Sequence, residues 1–226
     1  MWDLVPFVAV GIVVVVLVLG LVRRERARAV AATQRLMTLG FSPCPDESPA
    51  IVEKIQWLEN NHEYWYRVDR PMRATLGGGT AYYYRKERRR GREIVVFEEL
   101  LVPLRRPSEA GLVLVVKPSS LPSGLASRLI GSVATGAWDA QPDDLKRMQL
   151  PPDLSGTNFI GALGPSGASL FDLIDMGSLH TLEGVGDCGA LTVMCRGEWC
   201  SLAGGTSNMR LDVPKLWNLV AGLPSR

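Results

Sequence analysis

Apolar and polar positions along the chain fall into three patterns, and each predicts a different kind of element. In the first pattern there is no alternation. Leu4 to Val22, LVPFVAVGIVVVVLVLGLV, runs 19 residues without a charge. At about 1.5 Å per residue a helix of that length rises roughly 28 Å, close to the ~30 Å hydrocarbon core of a bilayer. A surface helix of a soluble domain keeps one polar face, and this segment has none. It predicts a transmembrane helix, with Trp2 at the interface and Pro6 in the first turn, where its missing N–H breaks no helical bond.

The second pattern has the helical period. Residues 23–39 are rich in Ala and Arg and stop at Gly40. After the turn-rich FSPCPDESP, Ser48 is placed as an N-cap and Pro49 in the first helical position. Ile51, Ile55 and Leu58 then recur at i, i+4 and i+7, and Asn60-Asn61 ends the run. Ser166 to Met176 reads as a short helix with Leu170, Phe171 and Ile174 inward. Val213 to Gly222 reads as a helix capped by Asp212, with Leu216, Trp217, Leu219, Val220 and Leu223 on its apolar face.

The third pattern is that of strands. EYWYRV, TAYYYRK, EIVVFEELLVPL, GLVLVVKP and TNFIGALG are rich in aromatic and β-branched residues. Pro103 and Pro118 are expected at strand ends. TAYYYRK and EIVVFEELLVPL predict a hairpin whose tip is the basic cluster between them. ALTVMCRG and EWCSLAGG predict a second hairpin about Arg196-Gly197. Residues 119–156 are mixed, with a short helix over Leu121, Leu125 and Leu129. Strands with interspersed helices and no regular β-α-β order give an α+β fold: one N-terminal transmembrane helix followed by a mainly antiparallel sheet packed by short helices. The expected divisions are an anchor over 1–22, a basic juxtamembrane helix and linker over 23–45, and the α+β domain over 46–226.

Charge adds an orientation. Arg23, Arg24, Arg26 and Arg28 follow the apolar run at once, and basic flanks stay on the cytoplasmic side. A cleaved signal peptide would start with a basic region and close on small residues; here only Asp3 precedes the run, and no Ala-x-Ala follows it. The N-terminus is therefore expected outside and the domain in the cytoplasm; reversal would export the domain. A second cluster, RKERRRGR over residues 85–92, carries six cations against Glu87, while the rest of the domain is mildly acidic. A nucleic-acid binder is more often basic over a whole face, which argues against that partner. The lipid bilayer is the expected partner. Arg23, Arg24, Arg26, Arg28, Arg85, Lys86, Arg88, Arg89, Arg90 and Arg92 are the candidate contacts to anionic lipid head groups or other anions. A protein partner also suits such a domain, but no motif specifies one.

Candidate chemistry changes this picture little. Cys44, Cys188, Cys195 and Cys200 form no Cys-x-x-Cys pair, and His62 and His180 are the two histidines, so neither a metal nor a cofactor is expected. A two-residue turn at Arg196-Gly197 would make Cys195 and Cys200 diagonal neighbours about 7–8 Å apart, beyond disulfide reach, and keep them reduced. No P-loop is present. GPSGAS resembles a nucleophile elbow but ends on Ala168, and a helix N-cap role, the favoured reading, explains Ser166 without catalysis. Cys188 follows Asp187, an acid that raises rather than lowers a thiol pKa. The reading is a membrane-anchored binding or scaffolding domain. The alternative is a membrane-bound hydrolase using Cys188 or Ser166 with His180.

Topology gives the first test. Alkaline phosphatase fused after the domain is expected to be inactive and a fluorescent protein there to fluoresce. Neutralising Arg23, Arg24, Arg26 and Arg28 together is expected to mix the two orientations, and active phosphatase on the native sequence contradicts the assignment.

Overall fold

A computed structural model describes residues 19, 20, 23, 24, 27–117, 142–154, 158–174, 176, 179, 182, 184, 188, 190–204 and 211–221; the side chains of 105, 106, 108, 109 and 221 are not among them. The chain divides into two compact units, Met1–Gly40 and Phe41–Arg226. In the first, helix α1 covers residues 27–38 and stops at Gly40, whose φ of +89° suits glycine. Among the described residues no helix is long and apolar enough to cross a membrane. Of the apolar run only Leu19 and Gly20 are described, and both are helical, so the transmembrane expectation otherwise lies outside the described residues.

The second unit is a mainly antiparallel sheet with a few short helices. Strand β1 (Ser42–Pro43) pairs with β2 (Trp65–Leu76), β2 with β3 (Gly79–Arg90), and β3 with β4 (Glu93–Val116). The β2–β3 hairpin closes through Gly77 and Gly78 at φ +58° and +86°, the positive values a tight primed turn requires. Helix α2 (Ser48–Glu59) buries Ile51, Ile55 and Leu58 against Tyr66, Val68, Tyr82, Tyr84 and Leu101, so the i, i+4, i+7 face packs as expected. Each of those three side chains contributes about 1.5–3 kcal/mol by leaving water. Asn60 ends α2 in the left-handed region, and its N–H bonds Gln56 O at 2.9 Å. Ser48 is the first helical residue rather than the cap, and its hydroxyl donates to Pro45 O.

Two expected breaks are absent. β4 does not stop at Pro103 but absorbs GLVLVV and runs 24 residues to Val116. Register irregularities interrupt the pairing with β7 between Pro103 and Leu112, where Pro107 lies, and the strand continues past both prolines. The hairpin expected about Arg196-Gly197 is one strand instead, β7 (Leu191–Gly204), which runs antiparallel along β4 from Glu99 to Val116. The other edge of β4 is shared: β3 takes its first half and β6 (Phe159–Gly164) its last turn of residues, with β5 (Lys146–Met148) beyond. β4 is thus the spine on which both parts of the sheet hang. Gly197 has φ +51°, and a Cβ there would lie 2.2 Å from Trp57 Cη2, so the Trp57 ring rests on the bare backbone at the irregularity.

The short helix α3 (Leu170–Leu173) is one turn, capped by Ser169 and not Ser166; Ser169 N–H donates to Asp172 Oδ2 at 2.8 Å. Leu170 is buried, whereas Phe171 is exposed. Helix α4 (Val213–Ala221) begins after Asp212, whose carboxylate accepts from Lys215 N–H, and buries Leu216 and Trp217, the latter edge-on to Phe41. The helix expected over Leu121, Leu125 and Leu129 lies outside the described residues, as does Pro118.

Two glycine substitutions separate backbone from packing. Gly78→Ala has a positive φ to accommodate but open space around it, and is expected to cost about 1 kcal/mol. Gly197→Ala meets the same backbone term and the Trp57 ring, and is expected to cost about 2 kcal/mol or more. Denaturant midpoints measure both, and equal costs contradict the Trp57 contact.

Candidate functional site

Strand β3 sorts the basic run by the pleat. Successive side chains of a strand point to opposite faces. Tyr82 and Tyr84 point towards α2, so Lys86 and Arg88, two and four residues further on, point there too and are buried. Arg85 and Arg89 point the other way and are exposed. The basic cluster is therefore not a hairpin tip. Arg85 to Arg89 pair with both β2 and β4, Arg90 pairs with Glu93 of β4, and the turn itself is Gly91-Arg92.

On the buried face Lys86 sits between two carboxylates. Its Nζ meets Glu59 Oε1, from the last residue of α2, and Glu99 Oε2, from β4. Tyr66 donates to Glu59 Oε2 at 2.7 Å; Tyr84 and Ser201 donate to Glu99 Oε1 at 2.8 and 2.6 Å. All four carboxylate oxygens are thus engaged. Arg88, buried between the rings of Tyr64 at 4.6 Å and Phe97 at 5.1 Å, balances the second negative charge.

Burial alone would raise the Glu59 carboxyl and lower the Lys86 amine. Their mutual attraction and hydrogen bonds outweigh it, so Glu59 is held below the usual carboxylate range and Lys86 above the usual amine range. Tyr66 and Tyr84 are pushed up by burial and by the carboxylates they serve, which keeps them as donors. A nucleophilic or Schiff-base lysine must be neutral and reachable, and this one is charged and sealed. The cluster fixes the register of β2, β3 and β4 beneath α2 and has no means to act on a substrate.

The opposite face is open at its upper end. Cross-strand rows read Trp65–Arg89–Ile94, Arg67–Glu87–Val96 and Asp69–Arg85–Glu98. Trp65 is 54% exposed and Ile94 52%. Arg67, Arg85, Arg89 and Arg92 are exposed and form no ion pair among the described residues, whereas Arg90 pairs with Glu63 at 2.6 Å. An open cleft of about 390 Å³ lies beside Glu63, Trp65, Arg89 and Gly91. Further down the same face, Glu98 accepts from Leu211 N–H at 3.1 Å, just before α4.

The sequence-derived anion contacts therefore divide. Arg85, Arg89, Arg90 and Arg92 are at the surface, whereas Lys86 and Arg88 are internal and unavailable to a lipid head group because they are buried, Lys86 between two carboxylates and Arg88 between two rings. Arg23, Arg24 and Arg28 are exposed helical residues of the first unit; Arg26 lies outside the described residues. Sequence reasoning missed Trp65, Arg67 and Ile94 on the open face. It also missed Glu59, Glu99, Tyr66, Tyr84 and Ser201 in the cluster. The period-2 spacing Tyr82, Tyr84, Lys86, Arg88 was the one local signal for the division.

Of the hydrolase candidates, Cys188 is buried, Ser166 is exposed in the turn after β6, and His180 lies outside the described residues. No known family model, curated protein or solved structure matches the chain.

The cluster predicts a pH profile. Glu59, with its lowered folded pKa, stabilises the fold above its unfolded value of about 4.3, and that contribution is lost as pH falls through the folded value. Lys86, with its raised folded pKa, stabilises below about 10.4, and that contribution is lost as pH rises through the folded value. Lys86→Met leaves two buried carboxylates with Arg88 as their one cation and is expected to cost about 3–5 kcal/mol at neutral pH. Without Lys86, burial raises the folded pKa of Glu59 above the unfolded one, so the deficit is expected to shrink from pH 8 to pH 5 in urea titrations. A deficit independent of pH contradicts the burial of the pair.

Proposed function

We propose that the chain is a membrane-anchored protein whose second unit binds the surface of an anionic bilayer through the open face of β2, β3 and β4. The observation that carries this reading is the division of charge on β3: the internal Lys86 is matched by two carboxylates, and the outward Arg85 and Arg89, with Arg67 beside them, form no ion pair among the described residues. Trp65 and Ile94 stand in one row with Arg89. An exposed tryptophan beside arginine suits the head-group region, where an amphipathic ring and a cation are both satisfied. The apolar run Leu4–Val22 and its arginine flank supply the tether, with the domain on the cytoplasmic side, where anionic lipid is concentrated. The activity is one of binding, without a catalytic step.

Residues 41–226 without the anchor are expected to bind vesicles rich in phosphatidylserine and not neutral ones. Binding should weaken with added salt, since the Debye length is about 8 Å at physiological ionic strength. Replacing Arg67, Arg85 and Arg89 by Ser should remove up to about 1 kcal/mol each, roughly 100-fold together at most. Equal binding to neutral vesicles, or no loss in the triple variant, contradicts the reading.

A further inference from the structure

We propose that Cys195 and Cys200 form a reversible thiol-oxidation site, a dithiol that a low-molecular-weight disulfide converts into a Cys195–Cys200 bond. The two belong to one strand, β7. In an unbroken strand, residues five apart stand on opposite faces and about 16 Å from each other. Here their Sγ atoms are 2.9 Å apart, with both thiols free. The contact overturns the diagonal hairpin placement expected from the sequence, and it requires β7 to fold sharply over Arg196 to Trp199.

The fold is held from several sides. Gly197 takes φ +51° and lies under the Trp57 ring. Arg196 Nη2 grips both carboxylate oxygens of Asp144, at 2.7 and 2.9 Å, and Asn60 at the end of α2 donates to the same carboxylate at 3.1 Å. The Arg196 guanidinium also fills the space over Gly111, where a Cβ would come within 2.8 Å of Nη2. Trp199 stacks beneath Lys54 and beside Tyr82. The bend is thus built by contacts from α2, β3, β4 and the segment before β5. The two sulfurs are brought together by the tertiary fold and not by their spacing in sequence.

Access sets the order of events. Cys200 is buried and Cys195 is half-buried. Cys195 gives its proton to solvent and its sulfur attacks one sulfur of the reagent disulfide. That S–S bond breaks, and the leaving thiolate takes up a proton. Cys200 then loses its proton, and its sulfur attacks Cys195 Sγ and expels the second thiol. Two protein thiols are oxidised and one reagent disulfide is reduced to two thiols. A reducing thiol pool reverses both steps.

The full-length protein in detergent, equilibrated with mixtures of reduced and oxidised glutathione, tests this by acid quenching and peptide mass mapping. A Cys195–Cys200 bond is expected in a mixture roughly tenfold more reducing than the same chain requires in urea, because the folded protein presents the sulfurs together. Cys44 and Cys188 should remain thiols. Cys200→Ser should instead accumulate glutathione on Cys195. Gly197→Ala, which disturbs the bend but keeps both thiols, should bring the folded value towards that in urea. The proposal is overturned if the native sequence keeps both thiols across the series, if the folded chain needs a mixture as oxidising as the unfolded one or more so, or if Cys195 pairs with Cys44 or Cys188.

Discussion

One ammonium group between two carboxylates constrains the second unit more than any other single contact. Lys86 lies in the middle strand of the β2–β3–β4 sheet, Glu99 on the neighbouring spine, and Glu59 at the last residue of the helix above them. Taking those charges out of water costs several kcal/mol per ion, and only near-complete pairing offsets it. The hydroxyls of Tyr66, Tyr84 and Ser201 complete that pairing. A one-residue slip of β3 would turn Lys86 and Arg88 to solvent and bury Arg85 and Glu87 in their place, without matched partners. The cluster therefore selects one register, and the register decides which cations remain on the outer face.

That selection links the core to the surface. Because the sheet is pleated, the residues flanking the inward cations of β3 point outward, so the interior that consumes Lys86 and Arg88 presents Arg85, Glu87 and Arg89. The same pairing places Trp65 and Ile94 alongside Arg89. The outer face thus carries charge, an amphipathic ring and an exposed aliphatic group in one row. At the far end of the sheet, a second set of long-range contacts, from Trp57, Asp144 and Gly111, shapes the bend of β7 and the meeting of two thiols.

What was legible in the sequence was local. The i, i+4, i+7 spacing of Ile51, Ile55 and Leu58 and the cap at Asp212 both appear as their residue types require. What was not legible depends on partners distant in the chain. An arginine-glycine step can close a hairpin or mark an irregularity in one strand; here β4, pairing along the whole of β7, decides for the second. Pro103 reads as a stop until a register irregularity is found beside it. The basic run reads as a solvated tip because charge is ordinarily at the surface, and its burial depends on Glu59, 27 residues before Lys86. The phase was nonetheless present: the tyrosines that lead into the run already mark which positions face inward.

The division of the basic run is the claim on which both the core and the surface reading rest. Covalent footprinting of the native protein with an amine-selective and an arginine-selective reagent, read by peptide mass mapping, tests it most directly. Arg85, Arg89 and Arg92 are expected to react at the rate of exposed side chains, while Lys86 and Arg88 stay protected until the protein is unfolded. Uniform labelling from Arg85 to Arg92 would contradict the account.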